Sequence, residues 1–408
     1  MTHLSLNARV IAAANTRPVL DEIGRTHTAP PTEYVLPGSN TVALALENLS
    51  AAQAGLLQAE MLEAGGDVVT PQRASGCRPA KVDIVLLGSR SQFQTLLARA
   101  ADAAPDAAAV RDEVRRALDN HARTRFEIRM GARRLTVGPE PAVMGILNVT
   151  PDSFSDGGKW LESSSAVARA DRLVEEGADI IDVGGESTRP GSDPVTEQEE
   201  LARVLPVVET LASRIDVPVS IDTRRASVAR EAVAAGACLV NDVTGLQGDP
   251  GMAAAVAETG AGVVIMHMLG EPRSMQDHPH YDHLMADICR YLRRGMQIAA
   301  DAGVPEDGII IDPGIGFGKT VRHNLEILAR LGQLRTLGAP VLVGPSRKRF
   351  IGTLADVETP SERVYGTAAA CSLAVAAGAL VLRVHDVAEV RQALAVATAI
   401  TQVDENAS

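Results

Sequence analysis

From Pro141 onward, short β-rich apolar runs alternate with polar loops and helical patterns. Most of these runs are almost continuous in Val, Ile and Leu, which is typical of parallel strands covered on both faces. We count eight of them: Val143 to Val149, Ile180 to Val183, Val217 to Ile221, Leu239 to Asn241, Val263 to Met266, Ile309 to Ile311, Val341 to Val343 and Leu380 to Val384. The alternation limits this part of the chain to an α/β fold built on a parallel sheet.

The stretches between these runs are long enough to form crossover helices. Clear examples are Ser163 to Glu176, Thr196 to Ser213, Ala226 to Ala235 and Tyr281 to Ala302. A doubly wound open sheet would alternate in the same way, but eight similar units favour a closed (β/α)8 or TIM barrel. We therefore predict a barrel domain over residues 139–408.

Residues 1–138 do not continue this rhythm, and they predict a smaller α/β domain of unknown role. The pattern indicates two strands and three helices: Thr41 to Leu46, Val82 to Leu87, Ala51 to Ala64, Gln92 to Ala101 and Ala107 to Ala122. Phe126 to Val137 predicts a hairpin that closes the bottom of the barrel. The first ~35 residues are rich in turn formers, so we expect loose order there.

Charge and composition weigh against several classes of protein. The chain has 39 Lys and Arg against 51 Asp and Glu, a net charge of −12, so we expect no nucleic-acid partner. We find neither a signal-peptide pattern nor an uncharged apolar run of membrane-spanning length, so we expect a cytoplasmic protein with no membrane association. The four cysteines, Cys77, Cys238, Cys289 and Cys371, form no CxxC pair and are interpreted as reduced core residues.

Polar side chains follow nearly every apolar run, at the end of the strand where barrels of this kind carry their working residues. In chain order they are Asn148, Thr150, Asp152 and Ser153, then Glu186, Thr188 and Arg189, then Asp222, Asn241, Asp242, His267, Asp312, Ser346, Arg347, Lys348, Arg383 and His385. Any one of them alone is more often a cap or turn residue. Together they predict a ring of acceptors for a flat heterocycle beside cations for a multiply charged anion.

Three features have alternative interpretations. Gly314 to Thr320 spells GIGFGKT, but a P-loop ending here needs glycine where Pro313 stands, so a tight loop is the better account. Asp277 to His283 is rich in His and Asp, but a solvated loop is favoured over a metal site. His267 could take part in the site or lie under it as a buried, satisfied residue.

Eight segments, in order along the barrel, closely resemble dihydropteroate synthase. They are MGILNVTPDSFSDGG from Met144, DVGGESTRPGS from Asp182, SIDTRRASVAREA from Ser220, LVNDVTG from Leu239, MHMLGEPRSMQ from Met266, DPGIGFGKT from Asp312, GPSRKRFIG from Gly344 and RVHDV from Arg383. LLQAEMLEAGGD from Leu56 resembles an extension found on longer members of that family. Eight motifs in the right order are a specific signal, and they cover the whole barrel.

The resemblance implies condensation of 6-hydroxymethyl-7,8-dihydropterin pyrophosphate with 4-aminobenzoate in folate synthesis. It implies that Asn148 binds Mg²⁺ on the pyrophosphate and that Arg383 and His385 hold the pyrophosphate oxygens. Asp312, Asn241 and Lys348 are expected to bind the pterin, and Asp222 to lie near the developing positive charge. The aminobenzoate is expected to contact Thr188, Arg189, Pro190 and Phe317. The catalytic set is then Asp222, Lys348, Arg383 and His385.

Four further acidic residues stand close in sequence to the expected site residues. Asp152 and Asp156 are either turn residues or Mg²⁺ ligands, with the turn interpretation slightly favoured. Glu186 and Asp242 are expected to orient Thr188 and Asn241.

Two other functions compete with the synthase. A pterin-binding methyltransferase would share the barrel and the pterin ligands, but it needs no cations for pyrophosphate, so Ser346 to Lys348 and Arg383 to His385 argue against it. A non-catalytic pterin-binding subunit would be expected to lack a charged site residue, and none is missing. Relatives are commonly dimers through the outer helices of the barrel, so a homodimer is expected.

Overall fold

The protein is described here from a computed structural model, in which residues 6–11, 41–70, 81–98, 105–149, 159–186, 195–270 and 275–402 are described. Contacts within the chain divide it into two compact units. The first unit comprises Met1–Arg123 together with Gly332–Gly338, and the second comprises Thr124–Leu331 and Ala339–Ser408.

This division corrects the domain boundary that we predicted between residues 138 and 139. The hairpin formed by β5 (Phe126–Met130) and β6 (Arg133–Val137) belongs to the second unit, because Phe126, Ile128 and Met130 pack into the hydrophobic cluster at the base of the barrel. The boundary therefore precedes the hairpin, at Arg123 and Thr124. The predicted role of the hairpin in closing the barrel is consistent with this packing.

The first unit contains a four-stranded antiparallel sheet in the order β1-β2-β4-β3. Its strands are β1 (Arg9–Ile11), β2 (Thr41–Leu49), β3 (Asp67–Val69) and β4 (Val82–Ser89), and its helices are α1 (Ala51–Glu63), α2 (Arg90–Ala98) and α3 (Pro105–Ala122). Sequence analysis missed β1 and β3, since a three-residue strand carries too little periodicity. Strand β1 departs locally from the expectation of loose order, since Val10 is buried and its N–H donates to the Thr336 hydroxyl at 3.0 Å. Residues 1–5 and 12–40 lie outside the described residues, and the expectation for them stays a prediction.

The second unit is a closed barrel of eight parallel strands, as predicted. The strands are β7 (Ala142–Asn148), β8 (Ile180–Gly184), β9 (Val219–Asp222), β10 (Leu239–Asp242), β11 (Gly262–Met266), β12 (Ile309–Asp312), β13 (Leu342–Val343) and β14 (Val381–Val384). They are ordered β12-β11-β10-β9-β8-β7-β14-β13, and a parallel bridge between Ile311 and Val341 joins the two ends.

Helices cover the outside of the barrel. They are α4 (Lys159–Glu175), α5 (Glu197–Arg214), α6 (Ala226–Ala234), α7 (Met252–Thr259), α8 (Leu284–Ala302), α9 (Val321–Ala329), α10 (Arg349–Ala355), α11 (Val364–Ala376) and α12 (Val387–Thr401), with 3-10 turns at Glu306–Gly308, Leu331–Leu337 and Pro360–Glu362. Helix α5 starts at a capping box of Thr196 and Glu199. Helix α8 starts later than predicted, because Tyr281 remains outside it and donates its hydroxyl to the carbonyl of Gly318.

The base of the barrel interior is apolar. One residue from each of seven strands lies in a single buried cluster with the hairpin: Met144, Ile180, Leu239, Val264, Ile310, Leu342 and Val381. This cluster, together with the hairpin, fills the amino-terminal end of the barrel, so any site must lie toward the opposite end.

Within the described residues, no helix combines the length and the apolar character needed to cross a membrane. Cys289 and Cys371 are buried, and Cys238 is half-buried. Cys77 lies outside the described residues.

Candidate active site

Above the apolar base, the interior of the barrel becomes polar. Side chains alternate along a strand, so the residue two positions beyond each base residue also faces inward. In four strands these next residues are Asp182, Asn241, Asp312 and Arg383, and Asp222 pairs in register with Asn241. We call these five residues the polar layer; it lies at the carboxyl ends of the strands, where the sequence placed the site.

Arg383 joins two carboxylates of the polar layer. Its Nε donates to Asp182 Oδ2 at 2.6 Å, and its Nη2 donates to Asp222 Oδ2 at the same distance. Both ion pairs are shielded from water, because the Asp182 side chain is fully buried and those of Arg383 and Asp222 are mostly buried. Charge-assisted hydrogen bonds in such a setting fix the guanidinium plane.

Asp182 is a site residue for which the sequence analysis proposed no role. Its Oδ2 also accepts from Asn241 Nδ2 at 3.0 Å, so one oxygen orients both Arg383 and Asn241. Its Oδ1 has no hydrogen-bond partner among the described residues. The signal was available: Asp182 stands inside the apolar run IIDVG, and a carboxylate in a strand buried on both faces requires a charged or donating partner.

A small open space separates Asn148 from Asp222. Asn148, Gly184 and Asp222 occupy one register row across three neighbouring strands. A Cβ atom added to Gly184 would lie 3.8 Å from Asn148 Oδ1 and 3.8 Å from Asp222 Oδ2. Gly184 therefore leaves room for a ligand or ion between these two oxygens.

Asp312 and Lys348 lie on the other side of the barrel. Asp312 Oδ1 accepts from the N–H of Gly314 at 2.6 Å, and the carboxylate is almost fully buried. The Lys348 ammonium lies 4.1 Å from the centre of the Phe317 ring, a cation–π contact. The charge of Lys348 also acts on Asp312, so the sixth and seventh strands contribute to one site.

His385 and Ser346 are joined by two hydrogen bonds, and His385 lies two residues after Arg383. The Ser346 hydroxyl lies 3.0 Å from His385 Nδ1 and also accepts from the His385 N–H at 3.1 Å. Arg347, by contrast, pairs through two nitrogens with Asp386. Of the two cations in the segment from Ser346 to Lys348, Lys348 therefore acts on Asp312, whereas Arg347 is paired with Asp386.

Burial disturbs the ionisation of the site carboxylates. Burial raises the pKa of Asp222 to about 7, an effect that Arg383 opposes and the nearby carboxylates Asp182, Glu200 and Asp242 increase. Burial likewise raises the pKa of Asp312 to about 6, against the hydrogen bond from Gly314. The pKa of Arg383 is raised by its two carboxylate partners, although burial acts in the opposite direction. Such displaced ionisation is typical of functional sites.

The structure decides the open question about His267. It is buried, its Nδ1 lies 2.9 Å from the Lys319 ammonium, and its ring packs against Tyr291. Burial, followed by the charge of Lys319, lowers the pKa of His267 well below its usual value, so the ring is neutral. His267 is therefore a satisfied residue beneath the site.

The predicted orienting role of Asp242 is wrong. Asp242 accepts from the backbone and hydroxyl of Thr244 and from the N–H of Leu246, which caps the turn after β10; Asn241 is held by Asp182 instead. The role predicted for Glu186 stays a prediction, because Thr188 lies outside the described residues. Glu186 itself pairs with Arg224 and Arg225. These pairs occupy both of its oxygens in the loop after β8.

Several predicted residues lie outside the described part of the chain. They are Thr150, Asp152, Ser153, Asp156, Thr188, Arg189 and Pro190. Among the described residues, no group of three or more His, Cys, Asp or Glu side chains could hold a metal. An ion beside Asn148 would therefore need oxygens from a bound phosphate or water, which Mg²⁺ commonly uses.

Comparison with known proteins places this site in a family. Residues 144–385 match the family model described as pterin binding enzyme. The dihydropteroate synthase of Synechocystis sp. is 46% identical over 263 residues, which cover 64% of this chain and 91% of the relative. The structure of Xanthomonas albilineans dihydropteroate synthase with 4-aminobenzoic acid is 49% identical, with a TM-score of 0.65, and the match covers 69% of this chain and all of that one.

A longer relative also matches the N-terminal extension. The probable bifunctional folylpolyglutamate synthase/dihydropteroate synthase of Halobacterium salinarum is 41% identical over 381 residues, which cover 93% of this chain and 45% of that protein. This alignment is longer than the barrel unit, so it includes part of the extension. By the matched barrel and the motifs along it, the chain belongs to the pterin-binding enzymes and, within them, to the dihydropteroate synthase family.

Proposed function

We propose that the barrel condenses 6-hydroxymethyl-7,8-dihydropterin pyrophosphate with 4-aminobenzoate, giving 7,8-dihydropteroate and pyrophosphate. The observation that carries the proposal is the polar layer. Asp312 and Asn241, the proposed acceptors for a pterin, lie in the same barrel interior as the guanidinium of Arg383. Hydrogen-bond acceptors next to positively charged side chains can bind a heterocycle that carries an anionic leaving group.

Asp312 and Asn241 bind the pterin in this proposal. One carboxylate can accept from both the amino group and a neighbouring ring N–H of the pterin, provided that it is ionised. Asn241 binds the same hydrogen-bonding edge of the pterin, and Asp182 sets the orientation of its amide. Lys348 donates to ring acceptors, and its contact with Phe317 limits where its ammonium can lie.

Asp222 acts on the reacting carbon. An arylamine is a weak nucleophile because its lone pair is shared with the ring, so the barrier falls most if the carbon–oxygen bond loosens before attack. A fixed carboxylate near that carbon stabilises the positive charge as it forms. In this proposal, the carbon–oxygen bond that breaks lies in the open space between Asp222 and Asn148.

Arg383 and His385 hold the departing pyrophosphate. Two of the five N–H groups of Arg383 are used by Asp182 and Asp222, so the guanidinium can still donate to phosphate oxygens. His385 is oriented by Ser346 and can donate through Nε2. Thr188, Arg189 and Pro190 are proposed, with Phe317, to border the aminobenzoate.

Asn148 is the proposed protein ligand for Mg²⁺. Its amide oxygen is a suitable hard donor, and the space left by Gly184 lies beside it. When bound there, the ion would neutralise charge on the pyrophosphate and favour its departure.

Product analysis tests the proposal. The purified chain, given both substrates and Mg²⁺, should form 7,8-dihydropteroate that mass spectrometry detects, and Asp312→Asn should reduce its formation strongly. A methyltransferase would instead transfer a methyl group from methyltetrahydrofolate to a corrinoid without consuming the pterin pyrophosphate. A non-catalytic subunit would bind the pterin and give neither product.

We also propose that two copies of the chain associate through helices α11 and α12. Both helices expose large apolar side chains: Tyr365 at 87%, Leu373 at 68%, Val396 at 62% and Ile400 at 67% exposure. Val396 and Ile400 lie four residues apart and so share one helix face. A second copy of the same surface is the partner that the family resemblance implies.

The cytoplasm is the proposed location. The free thiols of Cys238 and Cys371 suit a reducing compartment.

A further inference from the structure

The motif GIGFGKT contains a lysine that the proposed reaction does not use. Lys319 is 3% exposed, and its ammonium has three acceptors: His267 Nδ1 at 2.9 Å, the Phe317 carbonyl at 3.0 Å and the His267 carbonyl at 3.4 Å. An ammonium has three N–H groups, so all of them are satisfied. None of these acceptors is a carboxylate, and no ion pair within the described part of the chain neutralises the charge of Lys319.

The glycines of this loop bring the lysine to its position. Gly314 and Gly318 have φ values of +68° and +64°, and a Cβ on either would clash, with the carbonyl of His267 at 2.0 Å or with Leu269 at 2.7 Å. The loop therefore packs closely against the segment after β11, and only glycine at positions 314 and 318 allows this approach. The Lys319 ammonium bridges the two segments at this point of closest approach.

Lys319 is joined to Asp312 through His267, whose side chain and carbonyl contact the Lys319 ammonium and whose N–H donates to the Asp312 carbonyl at 2.9 Å. Burial lowers the pKa of Lys319 to about 7, Asp312 acts to raise it, and Lys348 adds to the lowering. In return, Lys319, Lys348 and Arg383 all lower the pKa of Asp312. The other titratable neighbours of Lys319 are His267, which is neutral, and His323 at the start of α9. Burial lowers the pKa of His323, and the charge of Lys319 adds to that effect.

We propose that Lys319 is a positioning residue that fixes the Gly314–Lys319 loop against His267 and supplies the buried counter-charge that keeps Asp312 ionised for pterin binding. This inference rests on the proposed function, since it concerns the same pterin site. Without the ammonium, Asp312 would retain its proton at higher pH, and a protonated carboxyl cannot accept from two pterin donors.

The choice of lysine supports this role. The chain contains only four lysines, Lys81, Lys159, Lys319 and Lys348, among 39 basic residues, and two of the four lie in this site. An arginine spreads its donors over a planar fork, whereas a lysine places all of them at one atom. Three acceptors around a single buried nitrogen therefore require lysine.

Lys319→Met tests the proposal, because methionine has a similar length and no charge. Binding of 6-hydroxymethylpterin, measured by calorimetry, should weaken by about tenfold at pH 6, where Lys319, with a pKa of about 7, carries its charge. The acidic limb of the binding profile should move to higher pH, and the KM for 4-aminobenzoate should change little. Lys81→Met, at an exposed position of the first unit, is the matched control and should bind as the unmodified chain does.

The unmodified protein provides a second test that does not depend on the folding of a variant. Donation from the Lys319 ammonium requires His267 Nδ1 to carry no proton, so ¹⁵N spectra should show the neutral ring protonated on Nε2. A proton on Nδ1 at neutral pH would overturn the proposal.

The two proposals fail in different ways. If the unmodified protein binds the pterin and Lys319→Met matches it in affinity and pH profile, the role of Lys319 is wrong and the proposed function stands. If the unmodified protein binds no pterin, the proposed function is wrong, and the role of Lys319 is overturned with it.

Discussion

At the scale of single residues, the site depends on how buried charges are paired. Asp182, Asp222 and Arg383 form one connected group, and Asp182 also holds Asn241. Removing one partner from a buried ionic group leaves another charge uncompensated, which costs far more than the loss of an exposed pair. The residue with the most connections, Asp182, touches no expected substrate atom, yet it sets the orientation of two residues that do.

Asp182→Asn should therefore impair both stability and catalysis. Loss of the charge beside Arg383 is expected to cost about 3 kcal/mol of unfolding free energy and to raise the KM for the pterin substrate. Denaturant unfolding and steady-state kinetics measure the two effects. The control is Asp171→Asn, which removes a more exposed pair with Arg214 and should cost at most about 1 kcal/mol. Equal behaviour of the two variants would contradict the role of Asp182.

The pH dependence of the reaction follows from the raised carboxyl pKa values. Asp222, with a pKa of about 7, and Asp312, with a pKa of about 6, must both be ionised in the proposed mechanism. Because raised carboxyl pKa values delay ionisation to higher pH, kcat/KM should rise as pH increases through this range. Asp222→Asn should retain pterin binding and lose most turnover. An unmodified enzyme with constant kcat/KM from pH 5 to pH 8 would contradict this assignment.

At the scale of single elements, strand alternation explains why the site forms where it does. Seven of the eight strands contribute an apolar residue to the base, and in four of them the residue two positions later is polar. Gly184, at the end of β8, leaves a gap between Asn148 and Asp222. The strand itself does not require glycine there, since an added Cβ would meet its nearest neighbour at an ordinary 3.6 Å.

Gly184→Ala should thus separate folding from function. The added methyl group fills the space proposed for the metal and pyrophosphate, and a displacement of this size can reduce turnover by about 100-fold. The melting temperature should not fall, because alanine is no worse than glycine within a strand. Gly55→Ala, in an open position on α1, is the control and should leave turnover unchanged. Full activity of Gly184→Ala would show that the space is not used.

The elements also show how far sequence alone can predict this protein. The barrel and the residues at its strand ends were predictable, because a period of two and clustered polar side chains are local signals. Asp182 was given no role because the sequence does not show which side chains meet across the barrel. Lys319 was dismissed with the failed P-loop pattern, although its burial is set by loop contacts from Gly314 to Gly318. Strands β1 and β3 were too short to detect.

At the scale of the whole molecule, the chain consists of a barrel unit and an N-terminal unit with its own sheet and core. The extension is shared in part with a relative that also carries a folylpolyglutamate synthase. The catalytic residues proposed here all lie in the barrel unit. The barrel should accordingly determine the reaction, and its exposed helices α11 and α12 the association of two copies.

Leu373→Asp tests that association. A charge in the centre of an apolar interface is strongly unfavourable, so the variant should be monomeric where the unmodified chain is dimeric. Light scattering after gel filtration measures the mass. Leu62→Asp, at an exposed position on α1 of the first unit, is the control and should remain dimeric. A monomeric unmodified chain, or a dimeric Leu373→Asp, would contradict the proposed surface.

The central claim is that one barrel interior binds the pterin and expels its pyrophosphate as the amine attacks. The most direct measurement is the rate of pyrophosphate release from 6-hydroxymethyl-7,8-dihydropterin pyrophosphate, with and without 4-aminobenzoate. The account predicts release that depends on the amine and matches the dihydropteroate formed, mole for mole. Release at the same rate without the amine, or no release with both substrates present, would contradict it.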